Sequence, residues 1–452
     1  MTAILHAIKD DDTPSRLRGH LAPGILYAIQ GLQGALGRGV LPRLDLEGLP
    51  MPADEDALPL SDVRVVELGQ LLAGPFCGQL LGDFGAELIK VEDPGRGDPM
   101  REWGREKPYG ISLWWPIVAR NKKSVTCNLR TKEGQDLVRR LVAASDVLVE
   151  NFRPGTLERW GLGPEQLWEL NPRLVVTRVT GYGQTGPYAP RAGFGSIGEA
   201  MGGIRYVTGE ADRLPSRAGI SLGDALAATF AALGTLVALH VRERTGRGQV
   251  VDSAIYEAVL ALMESLLPEW EIANYQRERT GSVLPNVSPS NVYPTRDTDM
   301  ILIGANQDGI FRRLAAVMGR TDLADDERYA THSARGTNMA ELDALITAWT
   351  ATFDADVLLP MLHDAGVPAG RIFRARDMFA DPHFAARQAI VRVAHPELGE
   401  IPMQNVFPRL SATPGTVRHS GPALGEHNDY VYRELLDLSD AEMAKLADLR
   451  VI

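Results

Sequence analysis

Asp224 is a lone carboxylate in the small apolar stretch GISLGDALAATF, residues 219–230. An Ala-rich run that is typical of a helix follows it. An Asp just before a helix commonly caps the free N–H groups of the first turn. The alternative is a nucleophile or base held where water is scarce. The stretch by itself leaves both interpretations open.

Several basic side chains fall in loops next to segments that resemble strands. They are Arg96 and Arg101 of EDPGRGDPMR, Lys122 and Lys123 of RNKKS, and Arg153 and Arg159 of ENFRPGTLERWG. Each of these stretches can also be interpreted as an ordinary loop or a solvated surface without a binding role. Together they favour a phosphate-binding edge, because loops at one end of parallel strands share one side of a sheet. Since the whole chain carries a formal net charge of −11, such an edge would be a local site.

Two stretches match the glycine pattern of dinucleotide-binding loops. GYGQTG (181–186) follows a strand-like segment, but Pro187 and Pro190 prevent the helix that should begin there. GFGSIG (193–198) can open a helix, but no strand precedes it. Each match fails one structural condition, so nicotinamide binding is disfavoured.

The regular part of the chain alternates strand-like and helix-like segments. The strands are VRVVELG, ELIKVED, KSVTCNL, DVLVENF and RLVVTRVT; the helices between them are AGPFCGQLLGDFGA, KEGQDLVRRLVAAS and GPEQLWELN. This alternation predicts an α/β fold with a doubly wound parallel sheet. A long helical region is predicted at roughly 224–275, with further helices at 307–318 and 340–365.

Bulk composition excludes several classes of protein. With 452 residues, 44% of them hydrophobic, the chain can build two or three domains. Its acidic balance argues against a nucleic-acid partner. The two cysteines, Cys77 and Cys127, argue against a disulfide framework or a zinc site. The N-terminal residues do not form a signal peptide, and no early run is long enough to span a membrane, so a cytoplasmic protein is expected.

Six motifs, taken in order, resemble the class III (family III) CoA-transferases. They are VRVVELGQLLAGPFCGQLLGDFGAELIKVEDPGRGDPMR, ARNKKSVTCNLRTKEG, DVLVENFRPGTLERWGLG, NPRLVVTRVTGYGQTGPY, SLGDALAA and RTGRGQVVDSAIYEAV. The family includes formyl-CoA transferase, carnitine CoA-transferase and α-methylacyl-CoA racemase. The resemblance covers about residues 60–452.

The resemblance implies a fold and an assembly. It implies a Rossmann-like, doubly wound parallel-sheet domain at 59–265, completed by 395–452, and a smaller α/β domain with linkers at 266–394. Residues 1–58 would form an N-terminal extension. Two identical subunits would thread through each other as interlocked rings, giving a homodimer.

The resemblance also implies site residues. Asp224 would be the catalytic carboxylate. The residues that would bind CoA are Gln70, Leu71, Ala73, Arg96, Arg101, Cys127, Arg130, Asn151, Phe152 and Arg159. The substrates would be an acyl-CoA and a small carboxylic acid, and neither a metal nor a separate cofactor is expected.

Differences between this sequence and two branches of the family indicate which branch it resembles. The racemase branch carries a His-Asp pair where this chain has Phe194-Gly195, and racemisation needs a second base. SVLPNVSPSNVYP has no counterpart of the glycine-rich loop of formyl-CoA transferases. The segment before Asp224 most resembles the branch that uses dicarboxylyl-CoA donors, such as succinyl-CoA with citramalate or malate, or the mesaconyl-CoA transferases.

Arg205 and Arg217 lie shortly before Asp224 and could bind the distal carboxylate of a diacid. Structural pairing with Glu199 or Glu210 is the competing explanation. Transfer of CoA through aspartyl anhydride and aspartyl-CoA thioester intermediates is the favoured function. The alternatives are an acyl-CoA racemase or isomerase of the same superfamily, and a non-catalytic acyl-CoA-binding protein.

Overall fold

The structure, a computed structural model, describes residues 58–452. The predicted N-terminal extension, 1–58, therefore lies outside the described residues except for Leu58. The described chain is built on a six-stranded sheet in which all neighbouring strands are parallel. The strands are β1 (Arg64–Glu67), β2 (Glu87–Glu92), β3 (Lys122–Thr126), β4 (Val147–Glu150), β5 (Val175–Thr180) and β6 (Val250–Ala254). The predicted α/β class with a parallel sheet is confirmed.

The strand order is β3-β2-β1-β4-β5-β6, so the direction of winding reverses between β1 and β4. Val66 of β1 pairs with Ile89 of β2 on one side and with Leu148 of β4 on the other. Loops diverge from the carboxyl ends of two strands at such a reversal, which leaves a crevice for a ligand. The loops that follow β1 and β4 are therefore the first place to look for a site.

The sixth strand corrects the prediction of one long helical region at 224–275. The helix that contains Asp224 ends at Thr245, and the next residue, Gly246, has a φ of 69°, the left-handed conformation that closes a helix. Val250 and Val251 then pair with Val176 and Thr177 of β5. β-branched residues that follow a glycine stop are better suited to a strand than to a continued helix.

Helices cover both faces of the sheet. They are α1 (Ala73–Asp83), α2 (Trp115–Val118), α3 (Lys132–Ala143), α4 (Thr156–Arg159), α5 (Pro164–Leu170), α6 (Gly195–Met201), α7 (Ile204–Val207), α8 (Leu222–Thr245), α9 (Ile255–Leu260) and α10 (Leu266–Ala273). Alternate residues of β1 face opposite sides. Val65 packs with α1, α8 and α9, and Val66 packs with α3 and the C-terminal segment.

α8 carries Asp224 and presents small residues to the sheet. Ala227, Ala228 and Ala231 are fully buried, and the hydroxyl groups of Thr235 and Thr177 lie 2.6 Å apart. Small side chains allow the helix to approach the strands closely. By length and composition α8 could also cross a membrane, a property that core helices of globular proteins share.

Residues 290–404 form a second group of elements. β7 (Ser290–Pro294), β8 (Met300–Gly304) and β9 (Ala369–Arg371) make an antiparallel sheet, and β10 (Ile390–His395) pairs with β11 (Gly399–Gln404). The helices are α11 (Asp308–Val317), α12 (Asp322–Asp325), α13 (His332–Thr337), α14 (Met339–Thr350), α15 (Ala355–Asp364), α16 (Ala375–Ala380) and α17 (Pro382–Ala386). The helix predicted at 340–365 is thus two helices, because Asp354 is extended and begins the second.

The C-terminal segment returns to the large sheet. It contains a π-helix (Tyr430–Leu435) and α18 (Asp440–Asp448). The Tyr432 hydroxyl donates to the Thr126 carbonyl at 2.7 Å, and the Asn128 N–H donates to the Val451 carbonyl at 2.7 Å. These contacts attach the last residues to the edge strand β3. The domain boundaries themselves stay a prediction.

Candidate active site

The loops after β1 and β4 are joined at the crevice by one side chain. The Gln70 N–H donates to Asn151 Oδ1 at 2.8 Å, and Asn151 Nδ2 donates to the Gln70 carbonyl at 2.8 Å. A Cβ on Gly69 would lie 3.0 Å from Asn151 Oδ1, so a glycine there lets the two loops approach. Two residues that the sequence assigned to CoA binding are therefore in direct contact.

Buried charged side chains also bind the loop that follows β1. Leu71 has a φ of 64°, and its N–H donates to Asp98 Oδ1 at 3.0 Å. Lys90, itself buried, pairs with Asp98 at 2.6 Å and with Glu67 at 3.1 Å, and it donates to the Gly69 carbonyl. Burial would raise the pKa of Asp98, but the Lys90 ammonium and backbone N–H donors outweigh it and lower the pKa. The loop conformation is therefore fixed by interactions that are far from solvent.

Asp224 lies inside the first turn of α8 rather than before it. The helix begins at Leu222 with Ser221 as its N-cap, so the capping interpretation of Asp224 is wrong. Within residues 58–452 its carboxylate has no hydrogen-bond partner. A Cβ on Gly195 would lie 2.1 Å from Asp224 Oδ2, so only glycine fits beside the carboxylate.

The surroundings of Asp224 favour its protonated form. Its pKa is raised from 3.8 to about 6, first by burial and second by the negative charge of Glu199, while Arg217 acts in the opposite direction. The N-terminal turn of a helix favours an anion, but by less than burial disfavours it. At pH 7 the group is still mostly ionised, and it is more basic than an ordinary carboxylate.

Two cavities meet at Asp224. The first, of about 190 Å³, is lined by the predicted CoA-binding residues Gln70, Leu71, Ala73, Asn151 and Phe152. The second, of about 380 Å³, is lined by Trp114, Ser196 and Arg217. Trp103, Phe194 and Asp224 border both. One carboxylate is thus accessible from two neighbouring chambers.

The second cavity combines aromatic walls with one cation. The rings of Trp103 and Trp114 meet edge to face with centroids 6.0 Å apart. Arg217 is exposed, and its guanidinium has no ion pair or hydrogen bond with the described part of the chain. An unpaired guanidinium in an apolar-walled chamber suits an anionic ligand.

Arg205 is placed differently from Arg217. Its guanidinium pairs with the buried carboxylate of Glu199 at 2.7 Å. This is the structural pairing that the sequence left open as an alternative to substrate binding. Glu199 Oε1 also accepts the Gly223 N–H at 3.2 Å, so the pair is connected to the turn that carries Asp224.

The remaining predicted CoA residues do not line the small cavity. Arg101 pairs with Glu92 at 2.8 Å and stacks on Trp115 beside a separate cavity of about 810 Å³. The Cys127 thiol is buried, donates to the Gly134 carbonyl at 3.4 Å, and has a pKa raised to about 12 by burial. The exposed cations Arg96, Arg130 and Arg159 follow β2, β3 and β4. All three therefore follow the carboxyl ends of strands, and Arg96 and Arg159 belong to the phosphate-binding edge that the sequence predicted.

The two adjacent lysines of RNKKS are not a solvated pair at that edge. They begin β3, at the opposite end from its following loop. Lys122 is 1% exposed and donates to Glu67 at 2.8 Å and to the Pro75 carbonyl at 2.6 Å. Lys123 is partly exposed and pairs with Glu87. The sequence analysis also missed Trp103 and Trp114. Both lie more than 100 residues before Asp224 in the sequence, so no local motif links them to the site.

Comparison with known proteins identifies the family of this chain. The sequence model of CoA-transferase family III matches residues 60–428. The succinyl-CoA–D-citramalate CoA-transferase of Chloroflexus aurantiacus is 63% identical over 89% of this chain and 100% of its own length. The succinyl-CoA–L-malate CoA-transferase beta subunit of the same organism is 40% identical, with 89% and 100% covered. A crystal structure of a CaiB/BaiF family protein from Brucella suis superposes with a TM-score of 0.75 at 37% identity, covering 84% of this chain and 99% of that one.

A parallel α/β sheet with a carboxylate between two cavities at its switch point, together with these matches, defines a coenzyme A transferase. The chain belongs to CoA-transferase family III. The family predicted from the sequence motifs is therefore confirmed.

Proposed function

We propose that this enzyme moves CoA from succinyl-CoA, or a related dicarboxylyl-CoA, to a short carboxylic acid through covalent intermediates on Asp224. The observation that carries the proposal is the position of Asp224 between the two cavities. The named relatives support the substrate class, since their names specify succinyl-CoA with D-citramalate or L-malate.

The first half of the reaction loads CoA onto the enzyme. An Asp224 oxygen attacks the thioester carbonyl of the donor, the C–S bond breaks, and an aspartyl anhydride and CoA thiolate form. The thiolate then attacks the aspartyl carbonyl of the anhydride. The donor leaves as its free carboxylate, and Asp224 holds CoA as a thioester.

The second half repeats these steps in reverse. The acceptor carboxylate attacks the aspartyl thioester, giving a new anhydride and CoA thiolate. The thiolate attacks the acceptor carbonyl, so the acceptor leaves as its CoA thioester and Asp224 is again a carboxylate. Water is not a reactant in any of these steps. A cavity with aromatic walls would exclude water and so protect the anhydride from hydrolysis.

Coenzyme A and the acyl group would occupy different cavities. The cavity bordered by Gln70 and Asn151 would take the thioester end of CoA, with the cations at the sheet edge near its phosphates. The cavity that contains Arg217 would take the acyl chain. Because Arg205 pairs with Glu199, Arg217 would be the residue that binds the distal carboxylate of the diacid.

Arg217→Met tests the substrate class. We expect kcat/KM for succinyl-CoA to fall roughly 10- to 100-fold, since a charge-assisted contact is lost. Butyryl-CoA has the same chain length without the distal carboxylate, so its kcat/KM should change less than about threefold. Steady-state rates with both donors give the answer. Equal losses with the two donors would remove Arg217 from the substrate site.

We further propose that the enzyme acts as an interlocked homodimer. The described chain leaves large apolar side chains exposed on two helices. They are Phe230, Leu233, Leu236 and Val237 on α8, and Leu267, Trp270 and Ile272 on α10. Apolar surface on this scale is typical of an interface between subunits.

Racemisation is the second candidate, and the site disfavours it. The position beside Asp224 is occupied by Gly195, where no side chain fits and none can move a proton. A purely binding protein is also disfavoured, because it has no need for an unpaired basic carboxylate between the two cavities.

A further inference from the structure

We propose that the Glu199–Arg205 ion pair is a positioning device that fixes the first turn of α8 and holds the Glu199 carboxylate close to Asp224. The inference rests on the proposed function, in which Asp224 is the nucleophile. It gives Glu199 a part in the reaction without contact with the substrate.

The geometry connects three helices through one buried carboxylate. Glu199 of α6 accepts the Gly223 N–H of α8 at 3.2 Å with Oε1, and it pairs with Arg205 of α7 at 2.7 Å through Oε2. A Cβ on Gly223 would lie 3.0 Å from Glu199 Cγ, so the two segments touch. Gly223 directly precedes Asp224, so a shift of Glu199 moves the nucleophile.

The charges around Asp224 leave Glu199 as its main anionic neighbour. Burial is the first cause of the raised pKa of Asp224, Glu199 is the second, and Arg217 opposes both. The other charged groups on elements packed against α8 are engaged elsewhere. These are Asp83 with Arg120, Arg178 with Glu150 and Glu158, Asp252 with the Gln184 N–H, and Glu257 with the Tyr256 hydroxyl.

This arrangement has a chemical consequence. A more basic carboxylate is a better nucleophile, provided that it is ionised at the working pH. Glu199 is buried and pairs with Arg205, and its negative charge raises the pKa of Asp224.

Glu199→Gln separates the charge from the hydrogen bond. The Gln side-chain oxygen can still accept the Gly223 N–H, but the negative charge is gone. We expect the acid limb of the pH profile of kcat/KM for succinyl-CoA, with a midpoint near pH 6 in the native enzyme, to move about one pH unit lower. A merely structural role would reduce the rate without moving this limb.

The matched control is Glu243→Gln at the other end of α8. It removes the same charge from an exposed side chain that pairs with Arg173, about 28 Å along the helix from Asp224. Its pH profile should coincide with that of the native enzyme. An unmoved acid limb in Glu199→Gln would overturn the proposal.

Arg205→Met provides a second test that does not depend on Glu199→Gln folding. If Arg205 only holds Glu199, kcat/KM should fall by the same factor, about tenfold, for succinyl-CoA and butyryl-CoA. A loss confined to succinyl-CoA would make Arg205 a substrate ligand and overturn the proposal. Activity retained in Asp224→Asn would instead overturn the proposed function, so the two failures are distinguishable.

Discussion

Asp224 shows how opposing forces set the pKa of one partly buried carboxylate. The first turn of a helix favours its anion by about 0.3–1 kcal/mol. Burial and the Glu199 carboxylate act in the other direction and prevail, since the pKa is raised to about 6. A carboxylate with this pKa is more basic than an ordinary one and still largely ionised at neutral pH, as the proposed nucleophile requires.

This balance predicts that the native side chain destabilises the fold. The unfolded chain ionises Asp224 near pH 3.8 and the folded chain near pH 6, so the cost of the buried charge develops as pH rises between these values. Asp224→Asn should therefore be about 3 kcal/mol more stable than the native protein above pH 6. The difference should vanish below about pH 4.

Thermal denaturation of the two proteins at pH 8 and at pH 4 measures this effect. A higher Tm for Asp224→Asn at pH 8 is the expected result. A variant that melts at or below the native temperature at pH 8 would show that the raised pKa has been misassigned.

At the scale of elements, local patterns predicted most of the large sheet. Five strands and the helices between them follow from runs of Val, Leu and Ile separated by amphipathic segments. The sixth strand was missed because VVDSA stands between two helical runs and is too short to interrupt their pattern. Its pairing with β5 is a long-range interaction that no local window contains.

The site was predicted in part, for similar reasons. Gln70, Asn151 and Asp224 were identified through motifs, and the structure brings them to one crevice. The burial of Lys122 could not be predicted, because it depends on Glu67 from a strand that is not its direct neighbour in the sheet. Whether Arg205 or Arg217 is free to bind a substrate likewise depends on which guanidinium pairs with a carboxylate in the folded chain.

At the scale of the whole molecule, exposed apolar faces indicate a missing neighbour. Leu233 and Val237 of α8 are more than half exposed, at 56% and 55%. Trp270 of α10 is 55% exposed. Leaving such side chains in water is costly, so a second subunit is expected to cover them.

Light scattering coupled to size-exclusion chromatography tests this assembly. The expected mass is twice the 49.2 kDa of one chain, down to nanomolar concentration, because an interlocked interface is far larger than a standard one. A folded and active monomer at that concentration would contradict the homodimer. Activity that requires a different second chain would also contradict the homodimer. The malate transferase relatives are named as alpha and beta subunits, so this outcome is worth testing.

Chemical trapping would detect a covalent intermediate on Asp224, the proposed nucleophile. The enzyme is incubated with succinyl-CoA without an acceptor, and hydroxylamine is then added. An acyl-aspartate anhydride or an aspartyl-CoA thioester would be converted to a hydroxamate. The tryptic peptide 218–242 contains Asp224 as its only acidic side chain, so peptide mass spectrometry locates the product without ambiguity.

The expected result is a hydroxamate in peptide 218–242 of the native enzyme and none in Asp224→Asn. The variant should retain its fold and its affinity for CoA, measured by calorimetry, while turnover is abolished because an amide is a poor nucleophile. A hydroxamate on a different acidic residue, or full activity in Asp224→Asn, would show that Asp224 does not carry the reaction.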